Sequence, residues 1–440
     1  MKQILLFLSL IVSAWPLFAK SINILEAGAQ PDGKTLNTAI IQKAIDDCHR
    51  HGGGRVVIPS GRFLSGSLEL KSQVELHIEM GGVLLGSKQM GDYDAKRPHL
   101  IWSLKSSHIA LTGQGTIDGQ GKAFFDLSYK SWRARERPRP WISFAECKDI
   151  DIQDLNFINS PAHAISLEES EKITIDGIII SNPMRSPNTD GIDLKGCKHV
   201  VISNCMIETG DDAICLKASR ADVENVLVSN CILTSDDAAI KLGTGSKHII
   251  RKIHFSNISI VNSRYGITMF MGQGGLFERC IFSNISIQTA SRHSMEYPIF
   301  LDIHKRSTKY DLGKIRDIQF HNLFIETAGN ILIAGQEGAT IENLLLSDIN
   351  VRLKDLHDLR QIEKKPRGNK KFEPIPGLAD FSMVPSHLTF GFIKGLTLRN
   401  VQIDVQQSGK PLERYDFYLE KVENVQLIGI DEVAKYKVVD

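Results

Sequence analysis

The sequence has almost no excess of charge of either sign. Its 440 residues include 52 lysines and arginines and 51 aspartates and glutamates, which gives a formal net charge of +1. A surface that binds nucleic acid generally carries a basic excess, so the composition gives no sign of a nucleic-acid partner. Aromatic residues are also few, at 7%, whereas hydrophobic residues make up 42%, as in a soluble folded protein.

Long hydrophobic runs are absent after the first residues. Residues 4–12 form one short apolar run, which follows Lys2 and precedes Ser13, Ala14 and Ala19. This order is typical of a secretory signal peptide, so we expect residues 1–19 to be removed on export to the periplasm or the extracellular space. The run is short for a membrane anchor, no cysteine follows it as in a lipoprotein, and we expect no membrane span in the mature protein.

The cysteines lack the spacing of metal sites. There are seven, with no CxxC pair and no Cys/His spacing typical of zinc. Export would permit disulfides, but Cys205 and Cys231 occupy matching places in two Ser-Asn-Cys triplets. Residues that recur in this way more often line a core as small hydrophobic groups. We therefore predict core thiols, and we expect neither a metal nor another cofactor.

A repeat dominates the rest of the chain. Ser-Asn pairs occur at 203–204, 229–230, 256–257 and 283–284, in steps of 26, 27 and 27 residues, and related copies lie at Asn322 and Asn400. Isoleucines form a second ladder, at Ile165, Ile192, Ile214, Ile240 and Ile267. Periods of this length indicate a solenoid, and short β-rich segments favour an all-β parallel β-helix with asparagines bonded along its axis. Each repeat is too short for the four strands of a propeller blade.

The two ends of the repeat region differ from it. Residues 37–51 carry a helical pattern that ends at three glycines, 52–54, and a helix there would cover the open end of the solenoid. We therefore predict an N-terminal cap segment at 20–75 and a β-helix at 76–440, which together form one domain. Residues 354–390 are rich in Lys, Arg and Pro and predict either a solvated loop or a basic lip over a groove for an acidic substrate.

Three aspartates carry the strongest functional signal. Asp190 and Asp212 lie 22 residues apart, each two positions before an isoleucine of the ladder, and Asp211 precedes Asp212. Strands in neighbouring coils lie about 4.7–4.9 Å apart, so the three acids should cluster. Their repulsion raises the pKa of one member, and glycoside hydrolysis needs one carboxylic acid and one carboxylate. Capping of backbone amides or Ca²⁺ binding would explain single aspartates, but the three together favour catalysis.

These motifs resemble those of a known family. Residues 188–191 (Asn-Thr-Asp-Gly) and 210–212 (Gly-Asp-Asp) are similar to the two acidic motifs of the polygalacturonases of glycoside hydrolase family 28. Residues 28–61 and 113–119 resemble two further segments of that family. The resemblance implies a right-handed parallel β-helix of the pectin-lyase-like superfamily. It also implies that Asp211 is the general acid, and that Asp190 and Asp212 deprotonate the attacking water with inversion and without a metal.

The sequence departs from the family at the positions where the family binds its substrate. The histidine of the family's Gly-His-Gly motif falls on Ala238, while its Arg-Ile-Lys falls on Thr-Met-Phe at 268–270. Other polar residues would have to bind the sugar. The candidates are Asn188, Lys241, His163, Asp237 and Arg264. We expect Lys241 to face outward two coils from Asp193. We expect His163 to lie beneath Asp190 or to serve as a hydrogen-bonded turn histidine. Lys305 and Arg306 are more typical of ordinary surface charges.

These observations lead to one main hypothesis and its alternatives. The main one is an exported, monomeric, inverting hydrolase of pectic polysaccharide or oligosaccharide, which acts from chain ends if loops such as 354–390 close the groove. A hydrolase of rhamnogalacturonan or another glycan would fit the missing Arg-Ile-Lys. A non-catalytic carbohydrate-binding β-helix would have no reason to keep three adjacent acids. A polysaccharide lyase would need Ca²⁺ and a basic side chain as its base.

Overall fold

The computed structural model describes residues 20–128, 132–290, 295–356, 377–406 and 413–440. The predicted signal peptide and residues 357–376 of the basic segment lie outside this part of the chain. Within it, no helix is both long and apolar enough to cross a membrane.

The chain winds as a right-handed parallel β-helix, which confirms the predicted fold. Each strand pairs in parallel with the strand one coil away, so that Ile192 stands beside Ile165 on one side and beside Ile214 on the other. Side chains alternate along a strand, and the inward ones, mostly Ile, Val, Leu and Phe, form one continuous buried core. The predicted isoleucine ladder is part of this core.

Three strips of strands surround the core. We call the first the site sheet, and its strands are β5 (Leu68–Glu69), β8 (Ile101–Leu104), β13 (Ile142–Ala145), β16 (Ile165–Glu168), β19 (Ile192–Lys195), β22 (Ile214–Ala218), β24 (Ala238–Ser246), β26 (Tyr265–Met271), β28 (Tyr297–Ile303), β30 (Ile331–Ala334) and β34 (Tyr436–Val439). The second strip contains β1 (Lys20–Asn23), β3 (Gly54–Ile58), β6 (Val74–Ile78), β9 (Ser107–Thr112), β14 (Lys148–Gln153), β17 (Glu171–Asp176) and β20 (Lys198–Ser203). The third contains β2 (Asp32–Leu36), β4 (Gly61–Ser65), β7 (Gly82–Gly86), β10 (Thr116–Asp118), β15 (Asn156–Ile158), β18 (Ile179–Ser181) and β21 (Met206–Thr209).

Later coils run through the corner between the second and third strips without a break. These long strands are β23 (Val223–Ser235), β25 (Ile249–Ser263), β27 (Leu276–Thr289), β29 (Lys314–Thr327) and β31 (Ile341–Lys354), followed by β32 (Ser386–Gln406) and β33 (Tyr415–Ile428), which also join the site sheet. A separate antiparallel hairpin joins β11 (Phe125–Asp126) and β12 (Arg133–Ala134). Two short 3₁₀ helices span Met90–Asp92 and Gly121–Phe124.

The predicted asparagine ladder lies at this corner. Asn204, Asn230, Asn257 and Asn284 all have φ between 55° and 57°, a left-handed conformation that asparagine tolerates better than most residues. The side-chain amide of Asn257 donates to Asn230 at 3.3 Å and that of Asn284 donates to Asn257 at 3.2 Å. Asn322 continues the row at 2.8 Å. The ladder therefore ties the coils together along the axis.

A helix covers the N-terminal end of the core, as predicted. Helix α1 (Thr38–Arg50) buries Ile41, Ala44, Ile45 and Cys48, and these four side chains belong to the same core as the coils. An amphipathic helix suits this place because the first coil has no preceding coil to bury its apolar side chains.

The seven cysteines are all buried and none forms a disulfide, which confirms the prediction of core thiols. Cys205 and Cys231 directly precede the paired residues Met206 and Ile232 and so occupy neighbouring coils. Burial raises the pKa of the Cys197 thiol to about 12, so this thiol stays protonated and unreactive.

We predict that Asn257→Ala destabilises the protein by roughly 1–3 kcal/mol, because it removes two side-chain hydrogen bonds and leaves an alanine in a left-handed conformation. Asn257→Gly should lose less, since glycine adopts this conformation freely. Denaturant unfolding of the three proteins measures both differences. An Asn257→Ala protein as stable as the wild type would contradict the role given to the ladder.

Candidate active site

The two acidic motifs meet at the start of the site sheet. Asp190 and Asp212 each stand two residues before paired isoleucines of β19 and β22. The amide of Gly191 donates to the carbonyl of Asp212 at 2.8 Å, and that of Ala164 donates to the carbonyl of Asp190 at 2.8 Å. Both aspartates are almost fully buried, at 3% and 2% exposure. The parallel register thus brings residues 22 positions apart in the sequence side by side.

Asp211 has only neutral hydrogen-bond partners among the described residues. Its Oδ1 accepts from the backbone amide of Asp212 at 3.1 Å, and its Oδ2 accepts from the Asn188 side-chain amide at 3.3 Å. Asp211 is partly buried. Gly210 precedes it where a Cβ atom would collide with the carbonyl of Ser186, so a glycine is needed for the chain to turn here.

Asp190 and Asp212, by contrast, each accept a hydrogen bond from a lysine. Lys241 Nζ donates to Asp212 Oδ2 at 2.7 Å, and Lys217 Nζ donates to Asp190 Oδ2 at 3.1 Å. Lys217 also donates to the fully buried Asp193 at 2.7 Å. Each of the two acids is therefore compensated by an ammonium group from the following coil.

Only one of these two lysines is predicted from the sequence. Lys241 was predicted as a site residue from its outward register, and it lies in the cluster. Lys217 was missed. It lies three residues after Ile214 of the ladder and pairs with Lys195, which lies three residues after Ile192, so the same register could have indicated it.

Burial and mutual repulsion set the protonation of the acids. Burial, together with the charges of Asp190, Asp212 and Asp237, raises the pKa of Asp211 well above its usual range. Burial also raises the pKa of Asp212, but Lys241 opposes this effect and the pKa is about 7. Burial alone would raise the pKa of Asp193 too, yet Lys217, His163 and Lys195 hold it well below its usual range. Of the two neighbouring acids at 211 and 212, Asp211 therefore keeps its proton to the higher pH.

His163 lies beneath Asp190, as its place before Ile165 predicted. Its Nε2 is 3.5 Å from Asp190 Oδ1, and its Nδ1 is 3.0 Å from Asp193 Oδ2. The ring therefore bridges two buried carboxylates. This position suits a residue that orients Asp190 rather than one that reaches out to a sugar.

Asp237 and Arg264 continue the cluster by one and two coils. Arg264 Nη1 donates to Asp237 Oδ1 at 3.2 Å, and Lys241 Nζ lies 3.7 Å from Asp237 Oδ2. The Arg264 guanidinium also stacks on Tyr265, 4.8 Å from the ring centre. The side chains of Asp237 and Arg264 are 31% and 28% exposed, so both remain within reach of a ligand.

A second arginine, which no sequence motif predicted, reaches the cluster from outside the coils. Arg137 follows the β11–β12 hairpin, and its Nη2 donates to Asn188 Oδ1 at 3.2 Å. Its guanidinium lies 5.4 Å from the ring centre of Phe125. Neither the repeat nor the acidic motifs mark this residue, because it belongs to an excursion between β10 and β13.

The positions of the two missing basic motifs carry no cation. Ala238 is fully buried, and the hydroxyl of Thr268 donates to the carbonyl of Ile240 at 3.1 Å. Phe270 packs with a second apolar cluster outside the coils, whose buried members are Ala238, Tyr265, Tyr297, Phe300, Leu332, Ala334 and Phe381. We call this set the apolar plug. Lys305 and Arg306 follow the end of β28, where the Arg306 amide donates to the carbonyl of Gly272 at 2.8 Å.

Within the described part of the chain, two groups of side chains have the geometry to hold a cation. They are His163 with Asp190 and Asp193, and Asp211 with Asp212 and Asp237, and the candidate ligand atoms of each group lie within 4.8 Å of one another. However, Lys217 donates to two acids of the first group and Lys241 donates to one of the second. Because these ammonium groups already compensate the carboxylates, they would repel a metal ion.

Comparison with known proteins agrees with this geometry. The family model described as glycosyl hydrolases family 28 matches residues 48–366. A probable polygalacturonase of Vitis vinifera is 28% identical over 302 residues, which span 62% of this chain and 61% of the relative. The chain thus matches less than two thirds of that relative's length.

Two solved structures share the fold. The family 28 exopolygalacturonase of Yersinia enterocolitica aligns with a TM-score of 0.74 at 18% identity, over 94% of this chain and 79% of its own. The hyperthermoactive exopolygalacturonase of Thermotoga maritima aligns with a TM-score of 0.69 at 21% identity, over 88% of this chain and 92% of its own. The family model covers most of the chain, including both acidic motifs. The chain belongs to glycosyl hydrolases family 28.

Proposed function

We propose that the protein is an inverting glycoside hydrolase that cleaves pectic chains or oligosaccharides containing uronic acid. Asp211 is its general acid, and Asp190 and Asp212 are the bases that hold and deprotonate water. The observation that carries this proposal is the unequal distribution of lysines, because Asp190 and Asp212 each accept a hydrogen bond from a lysine while Asp211 has neutral partners. Family membership supports the reaction class.

The different surroundings of the three aspartates suit them to different roles, one as general acid and two as bases. A nearby ammonium group stabilises a carboxylate, whereas burial beside other acids favours a protonated carboxyl group. Asp211 can therefore protonate the leaving oxygen as the glycosidic bond breaks. The water oxygen forms the new bond to the anomeric carbon from the opposite face, and Asp190 or Asp212 takes its proton.

The charge of the cluster supports an acidic substrate. When Asp211 is protonated, four carboxylates remain beside five cationic side chains, and a uronate is attracted although the family's Arg-Ile-Lys is missing. The carboxylates are those of Asp190, Asp193, Asp212 and Asp237, and the cationic side chains are Arg137, Lys195, Lys217, Lys241 and Arg264.

The polar residues around the acids divide into two groups by their exposure and contacts. Asn188, Lys241, Asp237 and Arg264 would contact the sugar, since they surround Asp211 and Asp212 on the outward side of the coils. His163 would instead orient Asp190, because its ring lies between two buried carboxylates.

We further propose action from chain ends. In the register of the site sheet, the outward row that contains Lys241 continues through Thr268 to Phe300 and Leu332. The last two belong to the apolar plug, and Phe381 of the 377–385 segment packs with them. A groove that ran past the acids toward the C-terminal coils would have to cross this plug, so a long chain can extend from the acids in one direction only.

Three further proposals concern export, the oligomeric state and the domain organisation. We propose export with loss of residues 1–19, a monomeric enzyme in the periplasm or outside the cell, and one domain made of the 20–75 cap and the 76–440 catalytic β-helix. A hydrolase of rhamnogalacturonan or another glycan is the second candidate, which the uncharged Thr268 and Phe270 favour.

We predict that Asp211→Asn lowers the release of reducing ends from pectic substrates by at least about 100-fold, since loss of general acid catalysis costs roughly 10²–10⁴-fold. Asp151→Asn is the matched control, because Asp151 is another partly buried aspartate with a raised pKa but lies on β14, away from the cluster. A panel of polygalacturonate, rhamnogalacturonan and neutral glycans, each assayed with and without EDTA, identifies the substrate.

The outcomes of that assay separate the hypotheses. Hydrolysis that is lost in Asp211→Asn and indifferent to EDTA supports the proposal. Turnover of rhamnogalacturonan alone favours the second candidate, and unsaturated products that absorb ultraviolet light would indicate a lyase. A wild-type protein that binds glycans without turnover of any of them would leave only the non-catalytic interpretation.

We predict a bell-shaped pH dependence of kcat/KM whose acidic limb reports Asp212. Activity should rise through about pH 7 as Asp212 loses its proton and fall at higher pH as Asp211 loses its own. Lys241 lowers the pKa of Asp212, so Lys241→Met should raise that pKa and move the acidic limb to higher pH. The exposed Lys247 provides the control Lys247→Met. An acidic limb unchanged in Lys241→Met would contradict this assignment.

Action from chain ends predicts that viscosity falls slowly while reducing ends accumulate. A time course on polygalacturonate, with products separated by size, should show one short product from the first minutes. Oligosaccharides blocked at either end provide the control, since only one of the two should resist cleavage. An early ladder of intermediate sizes with a rapid fall in viscosity would indicate internal cleavage instead.

A further inference from the structure

Among the described residues, Arg137 is a buried cation without a paired anion. It is 7% exposed, and no carboxylate of this part of the chain forms an ion pair with it within 4.0 Å. One hydrogen bond joins its Nη2 to the neutral amide of Asn188, and its Nη1 is buried without a hydrogen-bond partner. Burying an unpaired guanidinium is costly. The buried Asp190, Asp193 and Asp212, by comparison, all have cationic partners.

The surroundings of Arg137 place this charge at the reaction centre. Asn188, which accepts from Arg137, donates in turn to Asp211 Oδ2 at 3.3 Å. Asp190 and Asp211 are the acids whose ionised forms would stabilise the guanidinium charge, while the neighbouring Arg139 repels it. Burial, more than this repulsion, lowers the pKa of Arg137 to about 10, which still leaves it positively charged at neutral pH.

We propose that Arg137 recognises the carboxylate of a uronic acid residue bound beside Asp211, in place of the basic pair that Thr268 and Phe270 do not provide. This inference rests on the proposed action on acidic glycans. A carboxylate offers two oxygens to the planar fork of an arginine and also supplies the missing countercharge. The amide oxygen of Asn188 supplies one acceptor and no charge.

The location of Arg137 allows such contact. The four residues before it, 133–136, are exposed, so the segment that carries the guanidinium lies at the surface. Phe125 supports one face of the guanidinium at 5.4 Å. A ligand carboxylate that displaces the Asn188 oxygen would take over its bond to Nη2, and it would reach the buried Nη1 when the Asn188 side chain moves aside.

The test compares free-acid and methyl-esterified oligogalacturonates as substrates of the wild type, Arg137→Gln, Arg137→Lys and Arg139→Gln. Arg139 is exposed and serves as the matched control two residues away. We expect Arg137→Gln to raise KM for the free acid at least about tenfold, the loss expected for a charge-assisted hydrogen bond. KM for the ester should change less, so the preference for the free acid should shrink. Arg137→Lys should restore part of it, and Arg139→Gln should match the wild type.

Binding gives a second readout that does not need turnover. In the Asp211→Asn background, calorimetry should show at least about tenfold weaker binding of digalacturonate when Arg137→Gln is added. The melting temperature of Arg137→Gln should not fall, because the substitution removes an unpaired buried charge. A large fall together with equal losses on acid and ester would assign Arg137 a merely structural role and overturn the inference.

The results distinguish this inference from the proposed function. If the wild type cleaves free-acid oligogalacturonates and Arg137→Gln does so with the same KM and the same preference, the inference fails and the proposed function stands. If the wild type neither binds nor cleaves any uronate but hydrolyses a neutral glycan, the proposed substrate class is wrong and the inference falls with it.

Discussion

The parallel register between neighbouring coils is the constraint on which the rest of the structure depends. It places residues that lie 22 to 27 positions apart in the sequence on adjacent strands of the site sheet. One column brings His163, Asp190 and Asp212 together, and the outward positions of the next strands direct Lys217 to Asp190 and Lys241 to Asp212. A shift of one residue in this register would turn outward side chains into the core.

The same constraint explains how the protein tolerates so many buried charges. Neighbouring carboxylates repel one another, but a lysine from the following coil compensates each of Asp190 and Asp212. Asp211 has no such partner among the described residues, and its pKa is raised well above its usual range. The arrangement that stabilises the cluster is therefore also the one on which the roles proposed for Asp211 and Asp212 depend.

Much of the fold and of the acid cluster could be predicted from the sequence, because the period of a repeat indicates which distant residues lie on neighbouring coils. The asparagine steps predicted the ladder at the corner, and the isoleucine ladder predicted that Asp190, Asp212 and His163 would stack. Lys241 followed from the same register. The register marks Lys217 as an outward residue of the site sheet, but it does not specify that this long side chain reaches back across a coil to two acids. The positions of Arg137 and the apolar plug could not be predicted either. Arg137 and Phe381 lie in segments outside the repeat, so no residue one period away indicates where they pack.

The central claim is that Asp211 keeps its proton to a higher pH than Asp212 does. Difference infrared spectroscopy over a series of pH values tests it most directly, by following the carbonyl stretch of protonated carboxyl groups in the wild type, Asp211→Asn and Asp212→Asn. We predict a protonated-carboxyl band that persists well above pH 7 in the wild type and in Asp212→Asn and is lost there in Asp211→Asn. A band that survives well above pH 7 in Asp211→Asn but is lost in Asp212→Asn would contradict the claim.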